Sequence, residues 1–215
     1  MNRLGIIILT MTLKILVLSI FLTIGLIACA VGRPISPDEA QASIRAAWQR
    51  DQHMLWEITW TAMPVGGPVV IETWRAGQRY RYEILEAPAP ALVGEMLVFD
   101  GQQAWRYNRF QPMVVVTSTD EPWLAPISEV FKVIENLNNR LPQTATQSQT
   151  QLDQRSTQQI VLAFENQDYL AVWIDSRTGL PSRLRFSLNG ITGRLEAREA
   201  EPLRDPAEAL FKPID

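Results

Sequence analysis

Two hydrophobic periods succeed one another in the chain downstream of residue 36. The run Ser36-Pro37-Asp38-Glu39 is a typical helix start, with serine at the N-cap, proline in the first turn and an acid three residues on. Apolar residues then recur at helical spacing, at Ala40, Ile44, Ala47 and Trp48. The pattern predicts an amphipathic helix that ends near Arg50.

After this helix the period changes from 3.6 to 2, which is typical of β-strands. The first alternating run, 54–62, places Met54, Trp56, Ile58 and Trp60 on one heavily apolar face. A second alternating run places Tyr80, Tyr82 and Ile84 on one face, and Asp100-Gly101 predicts a tight hairpin. Further strands are predicted at 69–75, 79–84, 95–99, 103–109, 113–118, 160–164, 169–174, 182–188 and 193–198.

Two segments of the second half interrupt this succession of strands. Apolar residues from Ile127 to Leu141 are spaced by three and four, with Pro126 at the start, which predicts a second helix. Residues 143–159 are rich in Gln, Thr and Ser, and we expect a polar edge strand with a frayed start rather than a mobile loop. The sequence therefore predicts an α+β domain with nine or ten antiparallel strands and two helices.

The first 28 residues differ from the rest in composition. They contain Arg3 and Lys14, no acid, and a long apolar run that ends in Leu26-Ile27-Ala28-Cys29. A charged start followed by such a run is typical of a secretory signal, although the run is also long enough for a short membrane anchor. The ending resembles a bacterial lipobox, in which the cysteine is lipidated and the signal is removed. We therefore expect a signal peptide at 1–28, a tether at 29–35 that starts at the lipidated Cys29, and a domain at 36–215; a thiol in an uncleaved anchor is the alternative.

Composition and charge narrow the classes of function. Over 215 residues the net charge is −3, so a nucleic-acid partner is not expected. The chain contains one histidine and one cysteine, which excludes a disulfide framework and disfavours a conventional transition-metal site. His53 has no partner for nucleophilic catalysis nearby in the sequence, and Glu83 and Glu86 point to opposite faces of a strand. We expect no enzyme activity, no cofactor and no metal.

The aromatic residues are the informative set, because seven tryptophans are many for this length. Most lie on the early strands, and they either fill the core of a small sheet or line an apolar cavity. The candidate cavity residues are Trp56, Ile58, Trp60, Trp74, Tyr80, Tyr82, Ile84, Trp105 and Tyr107.

Four short motifs, in this order, resemble the LolA/LolB-like superfamily of lipoprotein carriers, with the RseB-type stress sensors as distant relatives. They are Arg79-Tyr80-Arg81-Tyr82-Glu83, Val98-Phe99-Asp100-Gly101 with Trp105-Arg106-Tyr107, Asp175-Ser176-Arg177-Thr178-Gly179-Leu180-Pro181, and Leu210-Phe211-Lys212-Pro213. With the capped N-terminal helix, which also belongs to the family pattern, the resemblance covers about residues 36–213.

The resemblance implies an incomplete antiparallel β-barrel, a half-barrel whose apolar concave face is covered by helices and holds acyl chains. LolA itself is soluble and unlipidated, whereas Cys29 implies an anchor, as in LolB. Together the resemblance and Cys29 predict an extracytoplasmic lipoprotein, anchored to a bacterial membrane, that binds acyl chains of a lipid or lipoprotein for transport or sorting. The alternative is an envelope sensor that uses the same fold to contact a membrane protein partner. Similarity of fold supports the architecture more directly than the cargo.

Overall fold

The structure is a computed structural model that describes residues 32–61, 66–117 and 141–212, with the backbone alone at 111–117. Within these ranges the chain forms one α-helix and a single sheet of twelve strands. The helix α1 spans Pro37–Trp48, and the strands are β1 Arg33–Ile35, β2 Gln52–Trp60, β3 Val69–Ala76, β4 Arg79–Glu86, β5 Glu95–Phe99, β6 Ala104–Asn108, β7 Gln111–Thr117, β8 Thr144–Leu152, β9 Arg155–Ala163, β10 Tyr169–Asp175, β11 Pro181–Leu188 and β12 Ile191–Pro202.

The sheet runs in the order β1-β8-β9-β10-β11-β12-β2-β3-β4-β5-β6-β7. From β2 to β7, and again from β8 to β12, each strand pairs antiparallel with the next strand of the chain. β12 also pairs antiparallel with β2. The long-range pair β12–β2 joins the two halves of the chain, with Leu195 opposite Ile58. The sheet is open, with β1 and β7 at its two edges, so the predicted α+β class and incomplete antiparallel barrel with a helix are confirmed.

Helix α1 begins where the sequence predicts. The Ser36 hydroxyl accepts a hydrogen bond from the Glu39 N–H at 3.1 Å, and Asp38 and Glu39 place negative charge at the positive end of the helix. Its buried apolar face, which includes Ile44 and Trp48, packs toward β8 and β9. The helix is therefore fixed by a local cap and by tertiary contact.

The two faces of the sheet differ in character. The inner face, which carries Met54, Trp56 and Ile58, packs against α1: the ring centroids of Trp48 and Trp56 lie 5.8 Å apart. The outer face carries His53, Leu55 and Glu57, because side chains alternate along a strand. The main hydrophobic core lies on the inner face and combines residues of α1 with apolar residues of eight strands, from β2 to β4 and from β8 to β12.

Two elements depart from the sequence prediction. The polar segment 143–159 is not a single edge strand: β8 ends at Leu152, and β9 begins at Arg155 within the same segment. Asp153 and Gln154 form the two-residue turn between them, with φ of 50° and 65°. Residues 33–35, expected to be part of a tether, form β1 beside β8.

Some predictions fall on parts of the chain that the structure leaves undescribed. The signal segment 1–28 and Cys29 are among them, as is the predicted helix from Ile127 except for its last residue, Leu141. Among the described residues, no helix combines the length and the apolar character needed to cross a membrane.

Candidate functional site

Six of the nine candidate cavity residues lie on the inner face, because the strand register aligns them across β2 and β4. Ile71 of β3 stands between Trp56 and Ile84, and Thr73 stands between Met54 and Tyr82. The six residues are Trp56, Ile58, Trp60, Tyr80, Tyr82 and Ile84.

The other three candidates, Trp74, Trp105 and Tyr107, lie on the outer face, so the structure does not bring them together with the six. Trp74 is opposite His53 on β2, and Trp105 is opposite Val98 on β5. Alternation within one strand is visible in the sequence, but which face of one strand matches which face of the next depends on the turn and the register. The structure therefore separates these three residues from the other six.

Burial divides the six inner residues into two groups. Trp56, Ile58 and Ile84 are at most 6% exposed and belong to the packed core. Trp60, Tyr80 and Tyr82 are half-buried, and Trp60 and Tyr82 border the core. Only the second group combines contact with the core and open surface, which is the arrangement that a ligand-binding wall requires.

The half-buried aromatics lie toward the two ends of the strands. The rings of Tyr80 and Tyr82 stack with centroids 4.9 Å apart, and Phe99 of β5 lies 5.1 Å from Tyr80. We call Tyr80, Tyr82 and Phe99 the tyrosine cluster. Trp60 lies at the opposite end, two residues beyond Ile58, which pairs with the first residue of β3. The tyrosine cluster and Trp60 therefore flank the buried stretch of the inner face.

On the outer face, Trp105 packs against a small apolar cluster of Met96, Val98 and Tyr107, whereas Trp74 belongs to a network of charged groups. The His53 ring stacks on Trp74 with centroids 5.2 Å apart, and its Nε2 lies 2.7 Å from a Glu72 carboxylate oxygen. Arg81 belongs to the same network. Its guanidinium carbon lies 5.0 Å from the centroid of the Trp74 ring, and one of its nitrogens lies 3.0 Å from a Glu83 carboxylate oxygen. The single histidine is thus held by a carboxylate and an aromatic ring on the neighbouring strand. These contacts indicate a structural role for His53.

Glu83 is the most buried acid of this network, at 2% exposure. It is paired with both Arg81 and Arg109, which compensates the cost of removing its charge from water. Burial raises the pKa of the neighbouring Tyr107 hydroxyl, although the positive charge of Arg81 opposes this. Across the described ranges, no group of three His, Cys, Asp or Glu side chains is arranged to hold a metal ion.

The motif at 175–181 makes the turn between β10 and β11. Asp175 accepts hydrogen bonds from the Arg177 and Thr178 N–H groups, both at 2.8 Å, and from the Thr178 hydroxyl at 3.2 Å. Gly179 has φ of +70°, and the Arg50 guanidinium packs where its side chain would be. The motif therefore encodes a rigid turn rather than a binding loop.

The motif at 98–101 makes the hairpin between β5 and β6 by the same chemistry. Asp100 accepts hydrogen bonds from the Gln102 and Gln103 N–H groups at 2.7 and 2.9 Å, and Gly101 has φ of +104°. The Gln103 hydrogen bond lowers the pKa of the Asp100 carboxyl. Both Asp-containing motifs thus form turns that join neighbouring strands of the sheet.

An open antiparallel sheet with a helix on its inner face defines a class of fold, and solved structures share it. No protein-family model and no curated protein matches the sequence. An uncharacterised conserved protein from Thermus thermophilus matches with 12% identity and a TM-score of 0.54, covering 83% of this chain and 93% of that one.

MucB matches with 13% identity and a TM-score of 0.53, covering 82% of this chain and 62% of that one; Pseudomonas aeruginosa MucB is also known in complex with MucA. A LolA superfamily protein from Nitrosomonas europaea is similar with 10% identity and a TM-score of 0.41, covering 83% and 98%. At these identities the similarity concerns the fold alone. The matches with TM-scores of 0.54 and 0.53 therefore show a shared fold, and no more than that.

Proposed function

We propose that this protein is an extracytoplasmic lipoprotein, anchored by lipid on Cys29, that binds acyl chains of a lipid or lipoprotein on the inner face of its sheet. The observation that carries the proposal is the pair of half-buried aromatic sites, Trp60 and the tyrosine cluster, on the helix-bearing face of an open sheet. Binding would transfer or sort the cargo without covalent chemistry.

The rings of Trp60, Tyr80 and Tyr82 carry apolar surface that the fold leaves partly uncovered. Each square ångström of apolar surface removed from water contributes about 25 cal/mol, so an acyl chain laid along these rings gains affinity by contact alone. Aromatic rings suit this task because they present large apolar area and lose little conformational freedom. Tyrosine hydroxyls can remain hydrated at the rim while the ring faces the chain.

The anchor is supported by the sequence of the first 29 residues. A cysteine that carries two or three acyl chains holds a domain at a bilayer durably, since each buried methylene contributes about 0.8 kcal/mol. The proposal therefore places cargo binding next to a membrane, where acyl chains are exchanged.

Photo-cross-linking tests the proposal on the full chain in bacterial membranes. A diazirine-bearing fatty acid should label peptides of β2, β4 and β5 on the inner face, and mapping by mass spectrometry separates these from peptides of the N-terminal anchor. Trp60→Ala and Tyr82→Ala should lower inner-face labelling several-fold. Trp173→Ala, a matched aromatic change on the outer face, should leave it unchanged. Labelling confined to residues 1–31 in the wild type would refute acyl binding by the domain.

A regulatory role is the second candidate, and the similarity to MucB at a TM-score of 0.53 favours it, since MucB is known in complex with MucA. In this case the domain would contact a membrane protein partner and the inner face would be a scaffold. Cross-linking in the same membranes distinguishes the two: a stoichiometric protein adduct without fatty-acid labelling of the inner face favours the regulator.

A further inference from the structure

A concavity of about 340 Å³ lies at the junction of β2, β10, β11 and β12, and it opens to solvent. Six of its lining residues have side chains on the outer face by strand register and alternation, opposite to the proposed acyl site. They are Thr59, Thr61, Tyr169, Arg185, Thr192 and Arg194. The other three lining residues, Trp60, Phe186 and Gly193, lie on the inner face, and Trp60 is also part of the proposed acyl site. The concavity, here called the arginine pocket, therefore combines arginine and hydroxyl side chains with an apolar side that adjoins the acyl site.

The two arginines form a like-charge pair across neighbouring strands. Arg185 of β11 stands directly opposite Arg194 of β12 in the register. Like charges in this position destabilise a sheet, so the pair has a cost that the fold alone does not explain. An anion between the two guanidinium groups would convert this repulsion into attraction.

Two carboxylates lie near Arg194, each at the limit of ion-pair distance. Glu57 lies 4.0 Å from Arg194 but 2.9 Å from Arg198, and Glu196 lies 4.0 Å from Arg194 but 3.0 Å from Arg183. Each of these two acids is therefore engaged more closely by another arginine.

Arg185 differs from Arg194 in its surroundings. It lies over the Trp173 ring, 5.8 Å from the centroid, and in the described part of the chain no carboxylate stands within 4.0 Å of it. The arginine pocket thus has an excess of positive charge in a protein whose net charge is −3.

We propose that the arginine pocket binds a phosphate group. Guanidinium forks bind phosphate oxygens through paired hydrogen bonds, and the hydroxyls of Thr59, Tyr169 and Thr192 supply further donors. The Thr61 hydroxyl donates to the Thr192 carbonyl oxygen instead. A tetrahedral phosphate offers more acceptor oxygens than a carboxylate, and so uses more of these donors at once. Trp60 borders both this pocket and the proposed acyl site, but the phosphate donors are side chains of the outer face, so phosphate binding does not require acyl binding.

Calorimetric titration of the full chain in maltoside detergent with inorganic phosphate tests the proposal. Saturable binding should weaken about tenfold or more in Arg185→Gln and in Arg194→Gln, since a hydrogen bond to a charged group contributes about 1.5–3 kcal/mol. Arg185→Lys keeps the charge but loses the fork, and should bind with intermediate affinity. Arg204→Gln, an equal change of charge at an exposed arginine outside the pocket, should bind as the wild type does.

A second titration identifies where the phosphate comes from. Dihexanoyl phosphatidylglycerol below its micelle concentration presents the same phosphate on a lipid headgroup. Tighter binding of this lipid than of inorganic phosphate, with the same dependence on Arg185 and Arg194, assigns the pocket to a headgroup; equal or weaker binding assigns it to a free phosphate. The proposal is overturned when neither probe binds saturably, or when Arg204→Gln weakens binding as much as the pocket variants do. Thermal melts of each variant separate lost binding from lost folding.

Discussion

At the scale of single residues, Trp56 and Trp60 share a strand and a face but differ in their surroundings. Trp56 is 1% exposed and contacts Trp48, whereas Trp60 is half-buried at the border of the core. A large side chain with neighbours on all sides loses more contacts on truncation than one with an open side.

We therefore predict that Trp56→Ala lowers the free energy of unfolding by about 3–5 kcal/mol, and Trp60→Ala by only about 1–2 kcal/mol. Chemical denaturation of the full chain, followed by circular dichroism, measures both. Equal losses would place Trp60 in the packed core and remove it from the proposed acyl site.

Asp175 shows how one carboxylate can fix a turn. Burial raises its pKa, but the hydrogen bonds from the Thr178 and Arg177 N–H groups and the Thr178 hydroxyl outweigh this and lower the pKa below 3.8. Because the folded-state pKa is the lower one, the ionised carboxylate stabilises the fold fully above about pH 4. This stabilisation is lost as the pH falls through the folded-state pKa.

Asp175→Asn should therefore lower the free energy of unfolding by about 1–2 kcal/mol at pH 7, because the amide oxygen is a weaker acceptor than the carboxylate. The difference from the wild type should shrink as the pH falls below 3.8. Denaturation curves between pH 7 and pH 2 test this. Asp153→Asn serves as the control, since Asp153 is 83% exposed, and a pH-dependent gap of the same size there would contradict the assignment.

At the scale of elements, Gly193 determines how β11, β12 and β2 fit together. It stands opposite both Phe186 and Trp60, and a Cβ atom at this position would come within 2.6 Å of Phe186 Cε1 and 2.9 Å of Trp60 Cβ. Phe186 is buried, so its ring has little room to move. The glycine thus allows two aromatic residues to close over the middle strand.

Gly193→Ala should lower the free energy of unfolding by about 1–3 kcal/mol through overpacking. In a Phe186→Leu background the same change should cost less, because the ring edge is gone and only the contact with Trp60 Cβ remains. A double-mutant cycle measures this coupling. Additive losses would show that the glycine is needed for some reason other than the aromatic contact.

Helix α1 and most strands were predictable because their signals are local. Capping at Ser36, alternation on β2 and β4, and the Asp100-Gly101 turn each follow from a few adjacent residues. The β8–β9 hairpin was missed because Asp153-Gln154 adopts positive φ without a glycine, so its turn lacks the usual sequence signal. The Asn189-Gly190 turn between β11 and β12, by contrast, carries that signal.

The candidate site was less predictable, because a site depends on which strands are neighbours. The alternation that groups Tyr80 with Tyr82 says nothing about Trp74, whose face follows from its pairing with His53. Arg185 and Arg194 are nine positions apart, and the two-residue turn at Asn189-Gly190 sets them opposite each other. That pair follows from a local signal, but its position beside Thr59, Thr61 and Tyr169 depends on the pairing of β12 with β2 and of β10 with β11.

At the scale of the whole molecule, the proposed location depends on one atom, the sulfur of Cys29. In Cys29→Ser the thioether to the lipid cannot form, so the signal should stay uncleaved and the protein should remain at the size of the precursor. Electrophoresis after metabolic labelling with palmitate measures both effects. Normal processing of Cys29→Ser, or a wild type that takes up no label, would contradict the lipobox interpretation.

The edge of the sheet at β8 has a consequence for self-association. β8 is nine residues long and has no charged side chain, while β1, which lies along its outer side, is only three residues long. An uncharged edge strand rich in glutamine and threonine can pair with a further strand. The partner that we expect is the β8 strand of a second copy of the protein. A soluble variant that starts after Ile35 would lack β1, and we expect it to form edge-to-edge dimers and fibrils through β8. A variant that retains residues 32–35 keeps β1, and so part of the β8 edge stays paired.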